Sequence, residues 1–425
     1  MPDIELEHDL GRRLLRNMTM QSGSQGIGIV LGLVTTFVLV RHLGAESYGG
    51  FTYLFSFIYI FLALSDLGTT MTLVREIAQT PARTVELVQN VLGLRLVLAI
   101  ASVLVGWLVI ALVPLPGAYK LSVRVFLLIL PIQVFATPAV ILQAQLRVGQ
   151  GSLVEMANRL TGFTLMMLSV WSGHGLLFVT LSLVVGELVG AAAMCGLTYR
   201  VVRPRPRFDV AVWSRVLRVS LPLSGNSLLI AMLNKFDSLM LQALGNLTQV
   251  GHYGMAYRLP NLIERVPTLA MSTLFPVMSQ LALRDPVALR RLYRRTLGWL
   301  LLLVVPILIG VVALAPVIVR VWFGADSAPV APLLRVVILS TGLVYLGISA
   351  GNLLVALSLA KANFYIVAVA TVVNLALNLV WIPRFGAMGA AWATVVGYGI
   401  LSGSELVLAE VALARTIRAH EAAVL

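Results

Sequence analysis

Seven basic side chains fall inside apolar stretches of this chain: Arg95, Arg124, Arg159, Lys235, Arg258, Arg265 and Arg335. A cation among apolar residues is expensive, so each is a candidate for holding an anion. Arginine suits oxyanions because its planar fork donates two parallel hydrogen bonds. Arg258 and Arg265 are seven apart, two helical turns, and share one helix face with Asn261 between them. Pro260 and Pro267 open the backbone beside that face. This is the best cluster for an anionic group; the competing readings are interfacial snorkelling and an ion pair from Glu264. Lys235 and Asp237 are two apart and point to opposite sides of a helix. Asp237 shares a stripe with Asn226 and Asn234, and Lys235 one with Ser224 and Gln242. Arg95 has no acidic residue three or four positions away, which makes it a cavity cation. Arg159 is a weaker candidate because Glu155 stands four residues earlier, the favourable order for a helical ion pair. Arg124 and Arg335 lie near the ends of their stretches and snorkel. Among the acids, Asp237, Glu187 and Asp66 are placed to take a coupling proton or ion, with a structural pair to an arginine as the alternative.

Other chemistries find no footing. No Gly-x-x-x-x-Gly-Lys-Ser/Thr loop is present, and the Gly26-x-Gly28 stretch follows no strand, so neither supplies a nucleotide site. There are no paired carboxylates and no histidine cluster; His42, His174 and His252 are isolated. Cys195 is the only cysteine, which rules out an internal disulfide and a thiolate metal centre. The sequence therefore predicts no enzyme, no cofactor and no metal. Gly28-x-x-x-Gly32 and Gly186-x-x-x-Gly190 read as close helix contacts. Asn246-Leu247-Thr248 is a chance sequon.

The elements that must carry these residues are membrane helices. The 425 residues are 59% hydrophobic and 12% charged, against roughly 25% charged in soluble domains. Twelve apolar spans fit, near 22–42, 49–70, 90–113, 123–146, 154–172, 175–199, 218–244, 249–280, 292–315, 330–359, 362–382 and 386–412. The stretch 249–280, with Pro260, Pro267 and Pro276, predicts a kinked or broken helix. The first run is too long for a signal segment and reads as a retained helix.

The net charge of +13 would point to nucleic acid in a soluble protein. Here it belongs to loops that set orientation, and no nucleic-acid partner is expected. With both ends cytoplasmic, the inner segments hold 20 basic residues and the outer loops hold Arg41, Lys120, Arg320 and Arg384. The Arg/Pro stretch 201–217 reads as a cytoplasmic linker between a six-helix bundle at 1–200 and a second at 218–425. The halves look duplicated: His42-Leu43-Gly44 and Tyr48-Gly49-Gly50-Phe51 correspond to Leu244-Gly245 and Val250-Gly251-His252-Tyr253. Gly175 and Gly186 likewise match Gly386 and Gly397. The expected architecture is thus all-α, two bundles related by a pseudo-twofold axis along the membrane normal, with a site between them.

Several motifs in this order resemble one family. They are Arg41-His42-Leu43-Gly44, Tyr48-Gly49, Leu64-Ser65-Asp66-Leu67-Gly68 and Arg75-Glu76-Ile77. In the second half they are Leu221-Pro222, Asp237-Ser238-Leu239-Met240-Leu241, Ala256-Tyr257-Arg258 and Pro383-Arg384-Phe385-Gly386-Ala387-Met388-Gly389-Ala390-Ala391. Over most of its length the chain resembles polysaccharide flippases of the multidrug/oligosaccharidyl-lipid/polysaccharide exporter superfamily. The resemblance implies translocation of an undecaprenyl-pyrophosphate-linked oligosaccharide, such as an O-antigen unit, across the inner membrane. It implies membrane lipids, a polymerase and glycosyltransferases as partners. On this reading Arg258, Arg265, Lys235, Arg95, Asn261 and Arg159 face the pyrophosphate and sugar. The alternatives are an antiporter of drugs or metabolites in the same superfamily and, further off, a membrane polymerase or ligase.

Overall fold

A computed structural model describes the backbone of residues 2–144 and 148–424, and all their side chains except those of residues 2–18, 22, 148, 222–223 and 423–424. Pro222, named above, and four of the inner basic residues, Arg12, Arg13, Arg16 and Arg147, lie outside the described side chains. Among the described residues there are helices and turns and no strand. This is what hydrocarbon demands, since a helix satisfies its backbone donors and acceptors within one segment.

In chain order the helices are α1 (Pro2–Asp66), α2 (Thr69–Gln79), α3 (Thr84–Leu112), α4 (Gly117–Leu127), α5 (Ile129–Val134), α6 (Ala139–Ala144), α7 (Val148–Trp171) and α8 (Leu176–Thr198). There follow α9 (Val210–Leu244), α10 (Leu247–Ala256), α11 (Arg258–Ile263), α12 (Arg265–Arg284), α13 (Pro286–Phe323), α14 (Val330–Ala356), α15 (Ala360–Phe385) and α16 (Ala387–Val424). Nine helical runs among the described residues are long and apolar enough to cross a membrane, or ten with α9, whose two segments meet at 57°. The first of them, Thr19–Gln79, has 61 residues. At about 1.5 Å per residue it is far longer than a hydrocarbon core of about 30 Å. It divides at Gly44, whose φ of 77° and ψ of 175° interrupt the helix in a region that favours glycine. Helix α7 has 24 residues but carries Glu155, Asn158 and Arg159. With the first run counted as two and α7 included, the described residues of each of the twelve expected stretches fall mainly on helix; residues 145–146 of the stretch 123–146 lie outside the described residues.

The chain forms two compact units, Met1–Leu228 and Leu229–Leu425. In the first unit α7 packs on α1 and α8. The α7–α8 contact is close because it is made by small residues. A β-carbon on Gly186 would stand 2.9 Å from Gly162 Cα, and one on Gly190 would stand 2.8 Å from Asn158 Cβ. Cys195, half-buried on α8, donates to the Phe135 carbonyl at 3.1 Å.

The Arg/Pro stretch is held against the start of α3. Arg207 N donates to the Gln89 carbonyl at 2.9 Å, and Gln89 Nε2 to the Arg203 carbonyl at 3.1 Å. Trp213 Nε1 donates to the Asn90 carbonyl at 2.9 Å. Val202, Val212 and Val216 join Leu87, Val91, Leu94 and Ile141 in a shared core.

In the second unit α14 is central, flanked by α12, α13 and α16. Its neighbours leave apolar side chains outward, such as Ile309 on α13 at 66% exposure, as a lipid-facing surface requires. The proline-rich region breaks as the sequence predicts. A proline ring clashes with the carbonyl four residues before it and offers no N–H. Helix α10 stops at Ala256, four before Pro260, and α11 stops at Ile263, four before Pro267. Pro276 is retained inside α12.

The α7–α8 contact generates a test. Gly186→Val is expected to destabilise the protein by about 1–3 kcal/mol through overpacking. The check is a lowered unfolding midpoint in detergent, with Gly196→Val, where a β-carbon has no neighbour within 4 Å, near the parent value.

Candidate functional site

In the first unit, Arg95 of α3 faces Asp66 at the end of α1. The guanidinium lies 3.3 Å from Asp66 Oδ1 and donates to Thr70 Oγ1 at 3.3 Å and Thr137 Oγ1 at 3.2 Å. Thr70 in turn donates to Asp66 Oδ1 at 2.5 Å. The acid that neutralises Arg95 thus comes from another helix, 29 positions earlier, where helical spacing cannot find it. Two expected roles, cavity cation and coupling acid, have met in one ion pair whose side chains are 15% and 31% exposed. Arg159 donates to Glu155 within α7, the pair its spacing anticipated. Its guanidinium also lies where a β-carbon on Gly28 would stand, so that glycine makes room for an arginine as well as for a helix.

Glu187 accepts from Asn158 Nδ2 at 2.9 Å. Both line a cavity of about 280 Å³ with Gln21, Gln25, Gln143 and Ser152. Arg95 does not line it.

The second unit is built differently. Asp237 of α9 is 1% exposed. Burying a carboxylate is tolerable only when donors surround it. Here Ser238 N donates to Oδ1 at 2.7 Å, Tyr253 Oη donates to Oδ2, and Thr394 Oγ1 of α16 lies 3.4 Å from Oδ2. Tyr253 and Thr394 hydroxyls are 3.1 Å apart. The Tyr257 ring lies 4.7 Å from that of Tyr253, which brings its buried hydroxyl to the same cluster. Lys235 is half-buried and lies within electrostatic reach of Asp237 and Glu264. Glu264 sits at the α11–α12 break and accepts from Thr341 Oγ1 at 2.9 Å, while Tyr345 Oη donates to the neighbouring Ile263 carbonyl at 2.8 Å. Two asparagines of α15, Asn374 and Asn378, are fully buried and joined by a 3.1 Å hydrogen bond.

Arg258 and Arg265 open α11 and α12, with Asn261 exposed between them. Arg258 is half-buried, its Nε enclosed without a hydrogen-bond partner, and Arg265 is exposed. Among the described residues neither makes an ion pair. Of the intramembrane cations put forward as ligands, these two retain their charge unopposed at contact range. Arg335 donates its Nε to the Val312 carbonyl at 3.0 Å on an exposed surface, as an end-of-span residue should.

The sequence of residues 14–282 matches the family described as polysaccharide biosynthesis protein. This chain belongs to that family. The match runs across both units, from α1 to α12, and includes every basic residue put forward as a ligand. The fold of this polysaccharide biosynthesis protein is similar to that of solved membrane transporters. It is similar to an inward closed lipid II flippase, MurJ, at TM-score 0.78 and 15% identity, covering 94% of this chain and 90% of that one. It is similar to an inward-facing multidrug resistance transporter of the MATE family at TM-score 0.74 and 15% identity, covering 95% and 99%. A superfamily transporter from Pyrococcus furiosus with a binding pocket of reversed polarity matches at TM-score 0.62 and 16% identity, covering 95% and 96%. No curated protein matches the sequence.

Sequence reading missed four members of the second-unit cluster: Tyr253, Tyr257, Thr341 and Thr394. Their hydroxyls look ordinary in an apolar helix, and only the fold brings them to a carboxylate. Tyr253→Phe is expected to cost about 1–3 kcal/mol, because it leaves a fully buried acceptor short of a donor. A double-mutant cycle with Thr394→Val should show coupling of about 0.5–3 kcal/mol. Additive losses in detergent unfolding would show that the two hydroxyls do not act together. In the first unit, Asp66→Ala should lower membrane abundance by leaving Arg95 unpaired, and Asp66→Ala with Arg95→Ala should recover it.

Proposed function

We propose that this protein flips an undecaprenyl-pyrophosphate-linked oligosaccharide across the inner membrane by alternating access, in the synthesis of surface polysaccharide or O-antigen. The observation that supports this most is the unopposed pair Arg258 and Arg265 beside two proline breaks, within the segment that matches the family. A diphosphate carries charge that hydrocarbon rejects, and arginine forks replace its water with paired hydrogen bonds. Asn261, on the turn between the two arginines, adds an amide for a phosphate oxygen or sugar hydroxyl. Lys235 contributes charge from α9, tempered by Asp237 and Glu264. Arg95 and Arg159, each with an acid at hand, bind cargo only if their partner exchanges. Glycosyltransferases supply such a cargo and a polymerase consumes it. Both chain ends lie on the cytoplasmic side in this scheme, with one half of the chain in each moving bundle.

A second reading has a specific observation in its favour. The second unit encloses three carboxylates, Asp237, Glu264 and Glu405. Such a set suits a cation-coupled antiporter for drugs or metabolites. On the flippase reading Asp237 serves instead as the coupling acid, with Glu187 as a first-unit counterpart.

The test replaces Arg258 and Arg265 with alanine, singly and together, in a strain that depends on this gene for surface polysaccharide. At normal membrane abundance the double variant is expected to lose surface polysaccharide by at least tenfold. Unchanged polysaccharide rejects the assignment. Loss of drug tolerance in a deletion strain with intact polysaccharide favours the antiporter.

A further inference from the structure

Glu405 lies on α16 at 5% exposure. Among the described residues its carboxylate makes no hydrogen bond and no ion pair. Its two oxygens point into a groove on α14 that only glycine leaves open. A β-carbon on Gly347 would stand 2.9 Å from Oε2, and one on Gly351 would stand 2.9 Å from Oε1. Gly347 and Gly351 are one helical turn apart, so the groove lies along a single face of α14. Ser402, one turn before Glu405, brings its Oγ to the same end of the groove, where it donates to the Leu343 carbonyl at 2.7 Å.

The charges facing Glu405 are few. Helix α14 presents glycine. Helix α13 presents Tyr293, fully buried, with a hydroxyl that has no hydrogen-bond partner among the described residues and lies within electrostatic reach of Glu405 and Glu410. Glu410, further along α16, is paired with Arg294 of α13 at 3.3 Å. Arg294 is therefore engaged elsewhere. Among the described residues, a carboxylate set against Gly347 and Gly351 with Ser402 beside it lacks the partner that burial demands.

We propose that Glu405 and Ser402, on the face of α14 opened by Gly347 and Gly351, form a site for a small monovalent cation, a sodium ion or a proton. Oxygen donors of this kind suit hard cations. One carboxylate neutralises one positive charge and leaves the interior uncharged. The site is separate from the Asp237 cluster, and it stands whether or not a lipid-linked sugar is the cargo. Within a transporter it gives the α14–α16 contact a charge that an ion can switch.

The experiment measures thermal unfolding of the full-length protein in detergent. It compares Asp237→Asn with Asp237→Asn combined with Glu405→Gln, Glu405→Asp or Ser402→Ala. Sodium is titrated against choline at fixed pH, and pH is then varied in choline alone. Asp237→Asn is expected to keep a ligand-dependent rise in unfolding temperature, since binding to the folded state stabilises it. Adding Glu405→Gln should abolish the rise, and adding Ser402→Ala should shift its midpoint at least threefold in ligand concentration. A rise that follows sodium identifies the metal ion, and one that follows pH in choline identifies the proton. Persistence of the full rise with Glu405→Gln, or its absence in Asp237→Asn alone, overturns the proposal. Should Glu405→Gln not fold, Glu405→Asp decides: a midpoint equal to that of the parent also overturns it.

Discussion

A polar group inside hydrocarbon must find its partner within the protein, and this single constraint shapes the chain at every level. It makes the backbone helical, because a helix keeps its hydrogen bonds local. It also governs the interior side chains. Asp237 can be 1% exposed because a backbone amide, a tyrosine and a threonine surround it. Those donors come from α9, α10 and α16, so the acid fastens three helices at once. Packing alone gives little reason for one helix arrangement over another when lipid is as apolar as leucine. A buried carboxylate with directional donors does.

The two units meet the constraint in different proportions. In the first, charges cancel in pairs: Arg95 with Asp66, Arg159 with Glu155, and Arg83 with Glu86 at 2.8 Å. Amides line its cavity instead of charges, apart from Glu155 and Glu187. In the second, hydroxyls and a backbone amide shelter Asp237 and Glu264, Arg294 pairs with Glu410, and Arg258 and Arg265 have no acid at contact range among the described residues.

How much could be read from the sequence follows the range of each interaction. Features set within a turn or two were legible. The helix ends four residues before Pro260 and Pro267, the i,i+4 pair of Glu155 and Arg159, and the contact made by Gly186 and Gly190 all follow from local spacing. Features set across helices were not. Asp66 and Arg95 are 29 residues apart, and Asp237 and Thr394 are 157 apart. Glu405 looks like one polar residue midway along an apolar helix, and only the groove of Gly347 and Gly351 shows where it points. Arg258 and Arg265 were placed on one face by counting residues. The break at Glu264 instead puts them on separate helices, one half-buried and one exposed.

Cys195 carries a practical consequence. It is the only thiol in 425 residues, and its bond to the Phe135 carbonyl is one that a serine hydroxyl can also make. A thiol-free background is therefore one isosteric replacement away. Spectroscopic or crosslinking labels can then be introduced in pairs at chosen sites, so the conformational cycle of this molecule can be followed directly.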